Sequence, residues 1–203
     1  MTTLLIMGAG GHGRVVADAA LLAGSWSRVI ASDRDLRRCA GELLPGVRLV
    51  QLEEGLAVAD LVHIAIGEAG SRERETAALA SKPSATVVHP RASVSSHARL
   101  GTGTFVAAQA VVAPGATVGR ATIVNHGAVV DHDVQVGDFC HLAPLSAMGG
   151  GVQIGHRVLL GSGATVLPGV RIGSDVIVGA GAVVREHLTA PGRYAGVPAR
   201  RLP

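Results

Sequence analysis

Residues 112–136 read VAPGATVGRATIVNHGAVVDHDVQV. An aliphatic side chain stands at every sixth position, at Val112, Val118, Val124, Val130 and Val136, and a small or short one follows four residues after each, at Ala116, Thr122, Ala128, Val134 and Cys140. Followed outward in both directions, the phase holds without a failure. It runs from Val88, Val94, Leu100 and Val106 on one side to Leu142, Met148, Ile154, Leu160, Val166, Ile172, Val178 and Val184 on the other. A strict six-residue phase is not the signature of a sandwich, whose turns vary in length. It is the signature of a repeat in which every unit adds one identical increment to a shared core.

Glycine follows the aliphatic residue at Gly101, Gly119, Gly137, Gly149, Gly155, Gly161, Gly173 and Gly179. The spacing assigns these glycines to tight backbone turns, where a Cβ is costly. Each hexad is then one short strand and one corner, and three hexads close a triangular coil. Stacked coils bury a continuous aliphatic column and satisfy each rung's hydrogen bonds against the next. The expected fold of residues 86–203 is a left-handed parallel β-helix, the known exception to right-handed crossovers.

Composition agrees with a narrow, regularly stacked core. Of 203 residues, 48% are hydrophobic, only 2% are aromatic, and 28 are glycine, so Val, Ile, Leu and Ala must fill the interior. The formal charge of +3 is carried by scattered residues such as Arg14, Arg48, Arg120, Arg157 and Arg200, with no basic stripe, which argues against nucleic acid as a partner. Cys39 and Cys140 lie far apart without a CxxC spacing, so neither a disulfide framework nor a thiolate zinc site is expected. The start, Met1-Thr2-Thr3-Leu4-Leu5-Ile6-Met7-Gly8, lacks a basic leader, and no run approaches the ~18 apolar residues of a membrane span. The expected location is the cytoplasm.

Residues 1–85 have a different texture. Strands at Leu4–Met7, Val29–Ala31 and Leu61–Ile66 alternate with helices at Arg14–Ala23 and Ser71–Ser81, before Lys82-Pro83-Ser84 interrupts the pattern. This alternation predicts a small α/β, Rossmann-like domain with a parallel sheet and a boundary near residue 86. Its first loop, Gly8-Ala9-Gly10-Gly11-His12-Gly13, fits the G-x-G-x-x-G fingerprint after a strand and before a helix, and Asp33 lies about 20 residues on. Helix N-terminal amides accept any diphosphate, and an acid ending the second strand accepts any ribose hydroxyl. A nicotinamide dinucleotide, a nucleotide-linked sugar and a purely structural turn are all compatible with the loop, although the domain is short for two mononucleotide halves.

Within the repeats, Val130-Asp131-His132-Asp133 places an imidazole between two carboxylates. One of these can hold its tautomer and raise its basicity, which makes His132 the candidate general base. His141 follows nine residues later. Nine is half of an 18-residue coil, so His132 and His141 fall on different sides of one prism and can meet only across subunits. A threefold assembly would supply three such clefts. For the same reason His126, His132 and His141 cannot converge on one metal ion within a chain, and no metal is expected. Cys140 occupies an inward position, which suits packing and not covalent catalysis.

These features, taken with Ile64-Ala65-Ile66-Gly67 and Gly196-Val197-Pro198-Ala199-Arg200, resemble the bacterial sugar O- and N-acetyltransferases of the PglD/NeuD type along essentially the whole chain. The resemblance implies acetyl-CoA as co-substrate, a homotrimer with active sites between subunits, and residue roles at matching positions. His132 would be the base, with Asp133, often Glu in the family, raising its basicity. His141 would contact the acetyl thioester, pantetheine would run near Ser162 and Ala180, and Arg200 or Arg201 would meet CoA phosphates. Gly11, His12, Gly13, Asp33, Arg34 and Gly67 would contact a nucleotide sugar. The implied reaction is N-acetylation of a nucleotide-linked amino sugar, such as a UDP- or GDP-4-amino-deoxysugar, for surface glycan biosynthesis. O-acetylation of sialic acid or another hydroxylated acceptor is the alternative, and a non-catalytic scaffold is an alternative of another class.

Overall fold

A computed structural model of the chain describes residues 2–203, so Met1 lies outside the described residues. The chain divides into two compact units between Pro90 and Arg91.

The first unit is built on a five-stranded sheet. Its strands are β1 (Thr3–Met7), β2 (Arg28–Ser32), β3 (Glu42–Leu44), β4 (Val47–Leu49) and β5 (Leu61–Ile64), in the spatial order β3-β4-β2-β1-β5. β1 is central, with Leu5 opposite Ile30 on one side and Val62 on the other, both pairings parallel. A strand covered on both faces must be apolar throughout, and Leu4, Leu5, Ile6 and Met7 are all buried. Helices α1 (Gly11–Ala23), α2 (Leu52–Val58) and α3 (Ala69–Ala78) accompany the sheet. α1 buries Gly13, Val16, Ala17, Ala19 and Ala20, small residues that permit a close approach, and it stops at Gly24 in a left-handed C-cap (φ 64°).

Three elements, β3, β4 and α2, depart from the pattern read in the sequence. The sheet is not wholly parallel, because β3 and β4 form an antiparallel hairpin with a bulge at its edge. The turn is Pro45-Gly46, with Gly46 at φ 84°, a pairing that presets the two central dihedrals of a tight turn. Three-residue strands are too short to show alternation, so this dipeptide was the available signal. α2 was likewise not anticipated.

In the second unit, three parallel sheets form from strands offset by 18 residues, as in the column Val112, Val130, Met148, Val166 and Val184. The first sheet runs from Ser93–Val94 to Val183–Val184 and the second from Arg99–Leu100 to Arg171–Ile172; within this unit the third continues from Phe105–Val106 through Val176–Val178 to the closing Gly192–Ala195, against which Arg200–Arg201 pairs antiparallel. Here the expected left-handed parallel β-helix is realised. From Val106 to Val184 every sixth-position side chain is buried, whereas Val94 and Leu100 in the terminal strands are half-buried. The second inward position is buried too, including Thr104, Thr122, Cys140 and Ser146.

The glycines that follow the aliphatic residues have a different cause from the one assigned above. None of them has a left-handed φ. A Cβ on Gly119 would stand 2.5 Å from the Gly137 carbonyl carbon of the next rung, so the absent side chain permits stacking. The left-handed conformation falls two residues later in the hexad, at Gln109, Ala121, Asp133, Phe139, Leu145, Arg157 and Asp175 as well as at several glycines.

Among the described residues, no helix is long and apolar enough to cross a membrane.

Candidate active site

In the first unit, a cleft of about 470 Å³ lies at the carboxyl ends of β1, β2 and β5. Gly8, Gly10, Gly11 and His12 form one wall, Asp33, Arg34 and Arg38 a second, and Ile66, Gly67, Ser71, Arg74 and Glu75 a third. The fingerprint glycines divide by role. A Cβ on Gly8 would lie 2.7 Å from the Ala65 carbonyl oxygen, and one on Gly13 would run into that of Gly8. Gly13 therefore permits the close packing of α1 on the end of β1, and Gly8 that of the chain ends after β1 and β5; Gly13 does not line the cleft. Gly11 meets nothing within 4 Å and Gly10 meets only Arg38, so this stretch of backbone is open to an approaching group. α1 begins there with no side-chain cap and no acidic residue in its first turn, which leaves its N-terminal field directed into the cleft.

Asp33 ties this wall together. Its Oδ2 accepts from the Ala9 amide at 2.8 Å and its Oδ1 from the Asp35 amide at 3.0 Å, with Arg38 at 3.9 Å. Arg34 reaches across to α3, where its Nη2 donates to Glu75 Oε2 at 2.9 Å and its Nε to Oε1 at 3.1 Å. That bidentate contact holds the guanidinium pKa above its ordinary value. Glu68 caps α3 by accepting from the Gly70 and Ser71 amides, and the buried Arg72 donates to the carbonyls of Ile66 and Gly67. Gly67 is thus held in place from behind. Arg38, Ser71, Arg74 and Glu75 were not singled out from the sequence. The helical phase of α3 places Ser71, Arg74 and Glu75 at i, i+3 and i+4, which is the signal that could have found them.

In the second unit, His132 sits at the corner that follows the first sheet. Its Nδ1 donates to Asp133 Oδ2 at 2.9 Å, while Asp131 Oδ1 accepts from the His132 backbone amide at 2.7 Å. The two carboxylates have separate tasks: Asp133 orients the ring and Asp131 fixes the backbone. With Nδ1 carrying the proton, Nε2 presents the lone pair in the neutral ring. The hydrogen bond to Asp133, aided by the field of Asp131, raises the His132 pKa above its usual value. Asp133 reaches Nδ1 from a left-handed backbone (φ 60°), a conformation that Asp tolerates better than most residues.

His141 lies on the third sheet, between Ile123 and Leu159, so within one chain it stands on a different face from the His132 corner. Asn125 Nδ2 donates to His141 Nε2 at 3.1 Å, which leaves the proton of a neutral ring on Nδ1. Ser162 and Ala180 are exposed and occupy successive rungs of the corner joining the third sheet to the first, where the Gly181 amide donates to the Ser162 carbonyl at 2.9 Å. Cys140 is buried and its Sγ donates to the Gly155 carbonyl at 3.0 Å, a packing role. Arg200 and Arg201 are exposed beside Glu186 and the Pro191 carbonyl. Asn125 was not singled out from the sequence, and its position 16 residues before His141 is interpretable only once the rung length is known.

Comparison with known proteins accords with both units. The family model of the PglD N-terminal domain matches residues 3–79, and the bacterial transferase hexapeptide model matches residues 151–186. No curated protein matches the chain in sequence. Among solved structures, a histidine variant of perosamine N-acetyltransferase from Caulobacter crescentus, in complex with CoA and GDP-perosamine, superposes with a TM-score of 0.92 at 35% identity over 100% of this chain and 98% of its own. The acetyltransferase domain of PglB from Neisseria gonorrhoeae superposes with a TM-score of 0.92 at 31% identity over 100% of both chains. The same domain in complex with acetyl coenzyme A gives 0.91 at 32% identity over 98% of each.

Proposed function

Because the chain belongs to the PglD-type sugar N-acetyltransferases, we propose that it transfers the acetyl group of acetyl-CoA to the amine of a nucleotide-linked amino sugar, with His132 as general base. The observation that carries this reading is the His132–Asp133 contact, which leaves the lone pair on Nε2 of a largely exposed ring whose pKa is raised. Residues 1–85 hold the nucleotide and residues 86–203 carry out acetyl transfer. Gly10 and Gly11 at the start of α1, with Arg38 beside them, suit a diphosphate, and Asp33 suits a ribose hydroxyl.

In the proposed reaction, Nε2 of His132 removes a proton from the amine as the nitrogen lone pair attacks the thioester carbon. A C–N bond forms, the carbonyl oxygen takes up negative charge, and His141 Nδ1–H is the donor suited to meet it. The C–S bond then breaks, and the imidazolium returns its proton to the departing thiolate. No acyl-enzyme is required.

Three copies around a threefold axis complete the site in this reading. The first sheet presents Val111, Val129, Ala147, Thr165 and Val183 outward, an apolar face bounded by the His132 corner on one edge and the Ser162 and Ala180 corner on the other. Copies packed about that face would set the base of one against the pantetheine corner of the next.

Thiol release from acetyl-CoA, measured with UDP- and GDP-linked 4-amino sugars beside hydroxylated acceptors, tests the reaction. Release with an amino sugar is expected; release only with hydroxyl acceptors would make the protein an O-acetyltransferase, and absence of CoA binding would make it a scaffold. His132→Ala is expected to lower turnover roughly 10²–10⁴-fold with little change in Tm. Near-normal turnover would remove His132 from the mechanism.

A further inference from the structure

The rungs on either side of the His132–Asp133 pair carry glycines where those side chains arrive. His132 lies over Gly150, one rung on: a Cβ built there would stand 2.5 Å from His132 Cε1, 3.1 Å from Cδ2 and closer still to Nε2. Asp133 lies over Gly115, one rung back, where a Cβ would run into Oδ1. Gly150 does not adopt a left-handed φ, so backbone conformation does not demand glycine there. Its neighbour Gly151 (φ 69°) already occupies the left-handed place of that hexad and has nothing within 4 Å. The demand at Gly150 comes from the ring.

We infer that Gly150 is a positioning residue for His132: its bare Cα is the seat that lets the imidazole lie against the next rung with Nδ1 on Asp133 and Nε2 over the glycine. Any side chain at 150 displaces the ring, because the alternative, moving the rung, breaks the bond from the Gly151 amide to the His132 carbonyl (3.0 Å). Gly115 gives Asp133 the corresponding clearance. The electrostatics of the pair are then set locally. Asp131 and Asp133 are the charged groups facing the ring, and the adjoining corners, Ala113-Pro114-Gly115 and Gly149-Gly150-Gly151, contain no titratable side chain. This inference rests on the reading of His132 as general base, but its central test needs no turnover.

The test is Gly150→Ala in the full chain, alone and combined with His132→Ala. By NMR titration of the imidazole in the absence of substrate, the His132 pKa is expected to fall toward the ordinary histidine value in Gly150→Ala, since the ring leaves Asp133. Its kcat should drop about 10²-fold, the cost of an ångström-scale displacement of a reacting group, with KM for acetyl-CoA little changed. In the His132→Ala background, Gly150→Ala should cause no further loss of residual turnover, because the ring that it displaces is gone, and Tm should change little in either background. An unchanged His132 titration in Gly150→Ala would overturn the inference. So would a loss of stability that persists without the ring. If His132→Ala itself remains active, the general-base reading fails whatever the titration shows.

Discussion

At the scale of single residues, the proposed chemistry is concentrated in the His132–Asp133 pair. Asp133 holds the imidazole through Nδ1, and the consequence is a pH effect of definite sign. A general base works only when unprotonated, so in the proposed reaction a raised His132 pKa moves the acidic limb of the rate profile to higher pH. Asp133→Asn removes the main cause of that rise. The acidic limb of kcat/KM should therefore shift to lower pH while the maximum falls, as a pH series of initial rates will show; a limb that stays in place would assign the titration to another group. The pair was legible in the sequence because the two acids and the histidine are consecutive. Which acid served the ring was not, because it depends on the left-handed turn at Asp133 that swings its carboxylate back over the imidazole. Arg34 shows the opposite limit. Its number was readable, but its bidentate contact with Glu75 depends on α3 crossing to the far wall of the cleft.

At the scale of elements, the β-helix was almost fully legible because each hexad repeats one instruction: an aliphatic residue inward, a short residue inward, then a turn. The cause assigned to the glycines was not legible, since sequence shows where a side chain is missing but not what would have struck it. Gly119 illustrates the point, with the backbone of Gly137 where its Cβ would be. Gly119→Ala is expected to destabilise the protein by about 1–3 kcal/mol, the usual cost of forcing an extra group into a packed stack. Denaturant midpoints measure this, and an unchanged midpoint would return these glycines to the role of turn residues. In the first unit, β1 and β2 announced themselves as apolar runs. β3, β4 and α2 did not, because elements of three to seven residues are too short to display a period.

At the scale of the whole molecule, the fold explains why two histidines nine residues apart do not form one intrachain site. A coil of 18 residues places them on different faces, one at the corner after the first sheet and one within the third. In the proposed account the trimer resolves this separation, because the apolar outward face of the first sheet lies between the corner of the base and the corner assigned to pantetheine. Activity then belongs to the assembly, and each site draws His132 from one copy and His141 from another. Subunit mixing tests this most directly. His132→Ala and His141→Ala proteins, each inactive alone, are unfolded together and refolded at equal ratio before thiol release is measured. About one quarter of wild-type activity should return, the fraction of interfaces in random cyclic trimers that unite an intact residue from each parent. No recovery in a mixture shown to contain hybrid trimers would contradict a site shared between copies.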